Sequence, residues 1–299
     1  MARGVPTKVA GDDTSCGSRP PLRCLQPKVS RANSLAMAPY KLSTFDTGDA
    51  HAFTAFDLDS LLPSRRHGDR VRVVGHRGSV GPDSPENSAA AVTEALLRGA
   101  DGAEIDVWLT ADGTLVCAHD LSTADVDSLS TLTDVLAAAQ GADGFQLVVE
   151  AKPVTDAAVA AATAAALAAV LSAAAGTADI TVSSFDAALL ATIRAACADL
   201  PVHTALLVEA TEPAASGVRR AHEDGHDEVH LALAGVRRTP EAVELAHRLG
   251  MEVGLWTVNR RTDLQWAAEL GVDAVITDDV LTAWSELDRA ASVRETAAV

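Results

Sequence analysis

The sequence predicts a (β/α)8 barrel of the TIM type, and three observations carry this prediction. Eight short runs rich in β-branched and other apolar residues recur along the chain, at residues 71–76, 103–108, 145–151, 180–183, 202–208, 228–233, 252–258 and 274–277. A helical stretch follows each run, and such alternation is typical of a parallel sheet. The units take up roughly 225 residues, near the about 250 of a typical barrel. The alternative for the same alternation is an open, doubly wound sheet.

The helices that follow these strands are expected to begin near eight positions. These are Pro85, Thr131, Asp156, Asp186, Pro213, Pro240, Thr262 and Val280. Pro85 followed by Glu86 has the pattern of a helix start, because proline suits the first position and the helix dipole favours an acidic residue there. One further run, residues 114–119, comes after the turn-forming pair Asp112 and Gly113. We therefore expect a hairpin that returns beside the second strand.

Residues 1–70 are predicted to form an N-terminal extension, and residues 71–299 the barrel domain. Residues 1–37 are rich in Ser, Pro, Arg and Gly and lack a hydrophobic period. Such a composition is typical of disorder, unless the segment precedes a true start at Met37. Residues 41–59 are expected to add one or two strands or a cap, and residues 61–70 have the composition of a linker.

Acidic residues dominate the charge of the chain. It has 41 Asp and Glu against 24 Lys and Arg, which gives a formal net charge of −17. Such a field repels nucleic acid and anionic membrane surfaces, so neither is an expected partner. An anionic substrate would have to be met by a local cluster of positive charge or by a metal ion.

The pattern of cysteines and apolar residues bears on location. Four cysteines are spread along the chain without a close pair, so they indicate neither a disulfide framework nor a zinc site. The N-terminus lacks the basic region and apolar run of a secretory signal. We therefore predict a cytoplasmic protein. Residues 157–175 are the most apolar stretch, but their alanine content, with Thr163 and Ser172, fits a packed helix rather than membrane insertion.

The chemistry of such a barrel is expected at the carboxyl ends of its strands. Glu104 and Asp106 stand two residues apart on the second predicted strand, so their side chains face the same side. Glu150 stands on the next strand. Three carboxylates from neighbouring strands form an all-oxygen site, which suits a hard divalent cation such as Mg²⁺ or Ca²⁺.

Two histidines and two basic residues are predicted near these carboxylates. His76 and Arg77 end the first strand, His119 ends the hairpin, and Lys152 follows the third strand. Histidines suit proton transfer near neutral pH. Arg77 offers a bidentate fork for a phosphate, and Lys152 offers a point charge. Together with the carboxylates, these residues indicate metal-assisted hydrolysis of a phosphate ester.

Each motif taken alone is also compatible with a structural role. Glu104 and Asp106 fit a solvated strand edge. Glu150 and Lys152 fit an ion pair inside the barrel, and Trp256 fits a plain core position. The functional interpretation is favoured because these residues all fall at the same end of their strands.

In its order and spacing, a set of short motifs resembles the glycerophosphodiester phosphodiesterase family. The motifs are His76-Arg77-Gly78, Pro85-Glu86-Asn87, Glu104-Ile105-Asp106-Val107, His119-Asp120, Glu150-Ala151-Lys152, Ser184-Phe185, Trp256-Thr257-Val258-Asn259 and Thr277-Asp278. Each motif is weak alone, whereas the whole ordered set, which spans residues 71–281, is highly specific. The resemblance implies a TIM-type barrel, a divalent metal ion, and hydrolysis of glycerophosphodiesters to glycerol 3-phosphate and an alcohol.

The resemblance also implies a role for each matching residue. His76 and His119 would be the acid/base pair. The three metal ligands would be Glu104, Asp106 and Glu150. The residues that would contact the substrate are Arg77 and Lys152, which would hold the phosphate, and Trp256, which would line the pocket, with Glu86 nearby.

The chain departs from the family pattern in one place. Family members usually carry an inserted segment of some tens of residues after the His-Asp motif. Here residues 121–147 hold little beyond one predicted helix, so the insertion is largely missing. This departure leaves the identity of the substrate more open than the chemistry.

Three alternative functions stay open beside the metal-dependent hydrolysis of a small-molecule phosphodiester. One is a lysophospholipase D-like activity on a lipid phosphodiester, because a related group on the same barrel also lacks a large insertion. The second is a barrel that binds a phosphorylated ligand without turnover, and the presence of every catalytic position argues against it. The third is a lyase that uses Lys152 as base, and the histidine pair argues against it.

Overall fold

The barrel is closed by pairing between its first and last strands. The computed structural model describes residues 70–174, 176 and 178–297. Its strands are β1 (Arg72–Gly75), β2 (Gly102–Leu109), β3 (Leu115–Cys117), β4 (Gln146–Ala151), β5 (Asp179–Ser184), β6 (Val202–Val208), β7 (Glu228–Ala232), β8 (Glu252–Trp256) and β9 (Ala274–Thr277). β1 pairs in parallel with both β2 and β9. This closure confirms the predicted (β/α)8 barrel, and the open-sheet alternative is wrong.

The strand β3 stands outside this ring as the predicted hairpin return. It runs antiparallel to β2, with Val107 opposite Cys117. The connecting turn is held by the backbone N–H of Thr110, which donates to Thr114 O at 2.9 Å. Gly113 adopts a φ of +88°, a conformation that glycine reaches without strain. The hairpin therefore carries the chain back to the carboxyl end of β2.

Helices cover the outside of the ring. They are α1 (Ala89–Leu97), α2 (Leu132–Ala138), α3 (Ala157–Ala173), α4 (Ala187–Ala196), α5 (Ala214–Glu223), α6 (Leu233–Val236), α7 (Glu241–Arg248), α8 (Arg261–Leu270) and α9 (Val280–Ala297). The predicted starts at Thr131, Asp156 and Asp186 are helix N-caps. In each case the side chain accepts a hydrogen bond from a backbone N–H of the first helical turn. The short helix α6 was not predicted. It follows β7 directly, so this strand ends one residue before the predicted position.

The helix α1 begins later than its sequence pattern predicts. The structure places its N-cap at Ser88, whose Oγ accepts from the backbone N–H of Ala91 at 3.1 Å. Asn87, with a φ of +56°, is in the left-handed region and cannot belong to the helix. Pro85 and Glu86 are therefore loop residues, and the predicted start at Pro85 is wrong by about one helical turn.

Side chains of β2 alternate between the two faces of the barrel wall. Ile105 and Val107 are buried between the strands and the helices. Glu104 and Asp106 face the interior, as the two-residue period predicts. A small apolar cluster fills the middle of the interior with Val74, Val148, Ala274 and Ile276, against which Trp256 packs.

Deeper in the interior, a buried polar group surrounds Glu228. Its carboxylate accepts from Thr181 Oγ1 at 2.7 Å and Gln146 Nε2 at 3.3 Å, and lies 3.1 Å from His230 Nε2. Burial opposes ionisation of Glu228, but the hydrogen bond and charge of His230, helped by Thr181 and Arg72, lower its pKa to about 2. The ionised carboxylate is therefore part of the native packing.

The segment between β3 and β4 is as short as predicted. It contains two single 3-10 turns, at Leu121–Thr123 and Val126–Ser128, before α2.

Among the helices that the structure describes, none combines the length and apolar character that a membrane crossing requires. The alanine-rich α3 instead buries Thr163 and Leu167 against its neighbours. Residues 1–69, which are all but the last residue of the predicted N-terminal extension, lie outside the described residues.

Candidate active site

Three carboxylates converge inside the barrel near the carboxyl ends of β2 and β4. Asp106 on β2 is opposite Glu150 on β4, and Glu104 lies two residues earlier on β2. One oxygen from each residue lies within 4.8 Å of the others, and all three residues are buried. The structure thus brings together the residues predicted as metal ligands.

The ammonium group of Lys152 lies between two of these carboxylates. Its Nζ is 2.6 Å from Asp106 Oδ1 and 2.7 Å from Glu150 Oε1. Burial by itself would lower the pKa of Lys152, but Glu150 and Asp106 raise it further than burial lowers it. Lys152 is therefore a charged group held at the site by its two acidic neighbours.

The carboxylates differ in how easily they ionise. Burial, with the nearby charges of Asp106 and Glu150, raises the pKa of Glu104 well above its ordinary value. Burial also raises the pKa of Glu150 to about 7, although Lys152 opposes this shift. For Asp106 the charge and hydrogen bond of Lys152, together with Asn87, outweigh burial and lower the pKa.

The donor set fits a divalent cation. Glu104 Oε1 is buried and has no hydrogen-bond partner among the described residues. An orphaned carboxylate oxygen is costly to bury, and a cation would satisfy it and relieve the repulsion among the three acids. Because the donors are all carboxylate oxygens, the set suits Mg²⁺ or Ca²⁺.

Arg77 lies beside the carboxylates in a left-handed conformation, with a φ of +58°. Its backbone N–H donates to Glu104 Oε2 at 3.0 Å. Its Nη1 donates to both carboxylate oxygens of Glu86, at 3.2 and 3.0 Å, and its Nε is 3.5 Å from Asp106 Oδ2. The chain turns tightly here because Gly78 packs on α1, where an added Cβ would lie 2.6 Å from the Cβ of Ala91.

His76 is paired with an acidic residue from the far end of the chain. Its Nδ1 lies 2.6 Å from Asp278 Oδ1, just beyond β9. Asn259 holds Asp278 in turn, because its Nδ2 donates to Asp278 Oδ2 at 2.6 Å and its Oδ1 accepts from Asp278 N at 2.9 Å. Thr277 Oγ1 donates to the same Asn259 oxygen at 3.1 Å. This chain of bonds fixes the orientation of the imidazole.

His119 follows β3 on the other side of β2. The preceding residue is anchored, since Ala118 N donates to Asp106 O at 3.1 Å and Trp108 Nε1 donates to Ala118 O at 3.0 Å. The ring of His119 makes no hydrogen bond to a residue that the structure describes, and it lines a cavity of about 320 Å³ together with Glu86 and Asp120. The backbone of the residue before His119 is thus anchored at both its N–H and its carbonyl, and the imidazole faces the same cavity as Glu86.

Trp256 is positioned at the end of β8. Its indole N–H donates to His230 O at 3.1 Å, and its ring meets Phe185 edge to face, with 5.5 Å between the ring centroids. The side chain is partly exposed. It is therefore rigidly held and able to offer an aromatic face to a ligand.

Three residues of the sequence motifs contact the site, although the sequence pattern alone predicted no role for them. They are Asn87, which contacts Asp106, and Asn259 and Asp278, which contact His76. A sequence signal existed for Asp278, because it directly follows the last strand, which neighbours the first in a closed barrel. Asn87 was missed because the helix start expected at Pro85 made it a residue of the first helical turn.

Comparison with known proteins identifies relatives in one family. The model of the glycerophosphoryl diester phosphodiesterase family matches residues 76–140 and 123–282. Glycerophosphodiester phosphodiesterase 1 of Bos taurus is 37% identical over 109 residues, which are 34% of this chain and 32% of that protein. Glycerophosphodiester phosphodiesterase of Caldanaerobacter subterraneus is 49% identical over 51 residues, 17% of this chain and 21% of that protein. The aligned stretches thus span a third or less of these relatives.

Solved structures share the fold over most of the barrel. A glycerophosphodiester phosphodiesterase from Parabacteroides distasonis aligns with a TM-score of 0.61 at 22% identity, over 77% of this chain and 99% of that chain. A phosphodiesterase from Oleispira antarctica, solved in complex with the product sn-glycerol-3-phosphate, aligns with a TM-score of 0.63 at 23% identity, over 73% and 97% of the two chains. At these sequence identities, the structural similarity is evidence for a shared fold alone.

Proposed function

The chain belongs to the glycerophosphoryl diester phosphodiesterase family, as its motifs predicted, and from this membership we propose that it hydrolyses glycerophosphodiesters to glycerol 3-phosphate and an alcohol. One observation carries the proposal. Glu104, Asp106 and Glu150 converge with Lys152 and Arg77 at the carboxyl ends of the strands. Such a site combines oxygen ligands for a cation with positive groups for a phosphate.

The three carboxylates would hold a divalent ion, Mg²⁺ or Ca²⁺. When bound, such an ion acts as a Lewis acid that offsets negative charge on phosphoryl oxygens. Lys152 would share that task, because its ammonium group already lies against Asp106 and Glu150. Arg77 would offer its guanidinium to a second phosphoryl oxygen, with Glu86 fixing the planar group in place.

We assign the role of general base to His76. The bond between its Nδ1 and Asp278 favours the tautomer with the proton on Nδ1, which leaves Nε2 free to accept a proton. The carboxylate of Asp278 also stabilises the imidazolium that forms, as in hydrolases whose histidine is oriented by an aspartate. The nucleophile would be water, or a neighbouring hydroxyl of the substrate, which would give a cyclic phosphate first.

His119 is then the general acid. Its ring has no hydrogen bond to a described residue that would commit either nitrogen, so it can carry a proton toward the substrate. As the bond between phosphorus and the leaving oxygen breaks, the electron pair stays on that oxygen and His119 gives it a proton. Trp256 would line the pocket for the organic part of the substrate.

The test is release of choline and sn-glycerol 3-phosphate from glycerophosphocholine by the purified protein. Mg²⁺, Ca²⁺ and EDTA would be compared, and glycerophosphoethanolamine, glycerophosphoglycerol and lysophosphatidylcholine would be run in parallel. Product formation that requires a divalent ion is expected with the glycerol-based diesters. Turnover confined to lysophosphatidylcholine would favour the lipid alternative, and binding without turnover of any substrate would favour a non-catalytic barrel.

The predicted cytoplasmic location is tested separately by cell fractionation.

A further inference from the structure

Asn87 occupies an unusual place in the loop between β1 and α1. Its side chain is only 2% exposed, although the residue lies between the strand and the helix rather than within either. Its φ of +56° is in the left-handed region, which asparagine tolerates better than most residues that carry a side chain. A buried side-chain amide normally has hydrogen-bond partners for both its N–H and its carbonyl groups.

Both ends of the Asn87 amide bind one residue, Asp106. Asn87 Nδ2 donates to the carboxylate Oδ2 at 2.8 Å, and Asn87 Oδ1 accepts from the backbone N–H of Asp106 at 2.8 Å. The other carboxylate oxygen, Oδ1, lies 2.6 Å from Lys152 Nζ. With both carboxylate oxygens held, the plane of the carboxylate is fixed relative to β2.

The backbone of Asn87 reaches a second carboxylate through Arg77. Asn87 N donates to Arg77 O at 3.1 Å, which joins the two ends of the loop. Arg77 N donates to Glu104 Oε2 at 3.0 Å. Asn87 therefore contacts Asp106 directly, and it also holds the backbone of Arg77, whose N–H binds Glu104.

We propose that Asn87 is a positioning residue that orients two of the three carboxylates for the metal ion and so sets metal affinity. The inference rests on the metal-binding role in the proposed function, but not on the reaction that follows. Groups that orient metal ligands typically change affinity by about 10–100-fold when removed. Asparagine suits the task because a single side chain supplies both a donor and an acceptor.

Two substitutions separate the side chain from the backbone. Asn87→Gly removes the amide but accepts the positive φ without strain. Asn87→Asp keeps the shape and tolerates the conformation, yet it replaces the donor with an oxygen that faces the Asp106 carboxylate. The matched control is Ser84→Ala in the same loop, because Ser84 is buried and its Oγ donates only within the loop, to Ser79 O at 3.1 Å.

The dissociation constants of Mg²⁺, Ca²⁺ and Mn²⁺ would be measured by titration calorimetry on metal-free protein. Melting temperatures and kcat would be followed on the same samples. We expect a 10–100-fold weaker metal affinity for Asn87→Gly, a partial recovery of kcat at high metal concentration, and wild-type affinity for Ser84→Ala.

Three outcomes would overturn the proposal. These are an affinity within twofold of wild type for a folded Asn87→Gly protein, an equal loss in Ser84→Ala, and a wild-type protein that binds none of the three ions. A wild-type protein that binds metal but hydrolyses no diester would overturn the proposed function alone. In that case the affinity comparison would still decide the role of Asn87.

Discussion

The Nδ1 atom of His76 lies 2.6 Å from Oδ1 of Asp278, although 202 residues separate the two in the chain. The contact forms because β1 and β9 are neighbours in the closed ring, with Gly75 opposite Thr277. A carboxylate on one imidazole nitrogen leaves the other nitrogen available for proton transfer. This pair, rather than the histidine alone, is the group that we propose takes a proton from the nucleophile.

Replacing Asp278 should therefore impair the reaction without removing either histidine. In Asp278→Asn the amide would donate to Nδ1 and shift the proton to Nε2, so kcat should fall by about 10²–10⁴-fold. The measurement is kcat against pH for this variant and for Asp279→Asn, a matched loss of charge at the adjacent residue. Asp279 instead binds the first turn of α9. Equal rates for the two variants would contradict the pairing.

The two histidines should respond differently to the leaving group. With glycerophosphocholine, His76→Ala and His119→Ala should each lower kcat by about 10²–10⁴-fold. With bis(p-nitrophenyl) phosphate, whose leaving group departs as a stable anion, the loss in His119→Ala should largely disappear, whereas the loss in His76→Ala should persist. The double variant should cost less than the product of the two single losses.

The opposite pattern, in which the activated substrate rescues His76→Ala, would exchange the two roles. A rate that neither single change affects with either substrate would remove both histidines from the mechanism. Because both variants keep Asp106, Glu104 and Glu150, the dissociation constant of the metal serves as the control that the site is intact.

Replacing the Glu104 carboxylate should weaken metal binding without destabilising the metal-free protein. Glu104 is buried beside two other acids, and its raised pKa reflects the cost of its charge. Metal-free Glu104→Gln should thus melt at or above the wild-type temperature. Saturating metal at about 100 times its Kd should stabilise the wild type by about 2.7 kcal/mol, and the variant far less.

Thermal melts with EDTA, Mg²⁺ and Ca²⁺ would measure both effects. Glu94→Gln offers a control, because Glu94 lies on α1 and binds Arg98 away from the site. A metal-free Glu104→Gln protein that is clearly less stable than wild type would show that this carboxylate is structural. Full retention of the metal-induced shift would show that it is not a ligand.

The interior carboxylate Glu228 should make the barrel sensitive to acid. Its pKa is lowered to about 2 in the fold, so its contribution is fully present above its unfolded pKa of about 4.3 and is lost as pH falls toward 2. At pH 7 the contribution is on the order of 3 kcal/mol. The free energy of urea unfolding should therefore differ between wild type and Glu228→Gln at pH 7, and the difference should shrink by pH 3.

The variant Glu252→Gln, which alters an exposed carboxylate near the same end of the barrel, provides the comparison. A difference between wild type and Glu228→Gln that stays constant from pH 7 to pH 3 would contradict the assignment. It would mean that the contribution of Glu228 comes from its shape and neutral hydrogen bonds rather than from its charge.

The parts of the site that follow from local periodicity were predictable from sequence. Glu104 and Asp106 face the same side because side chains alternate along any strand, whatever lies beside it. The alternation of strands and helices likewise predicted a parallel sheet, and the turn at Gly113 predicted the hairpin that leads to His119. The helix start near Pro85 was wrong because the local pattern could not register that Asn87 is held in a left-handed conformation by Asp106.

The sequence by itself determined the order of the elements, the chemical types of the site residues and the face of β2 on which two carboxylates lie. Only the tertiary structure decided that the sheet closes, that Asp278 reaches His76, and that Asn87 holds Asp106. The physical reason is one of range. Alternation and turn preference are properties of neighbouring residues, whereas a contact across 202 residues exists only after the pairing of β1 with β9 closes the ring.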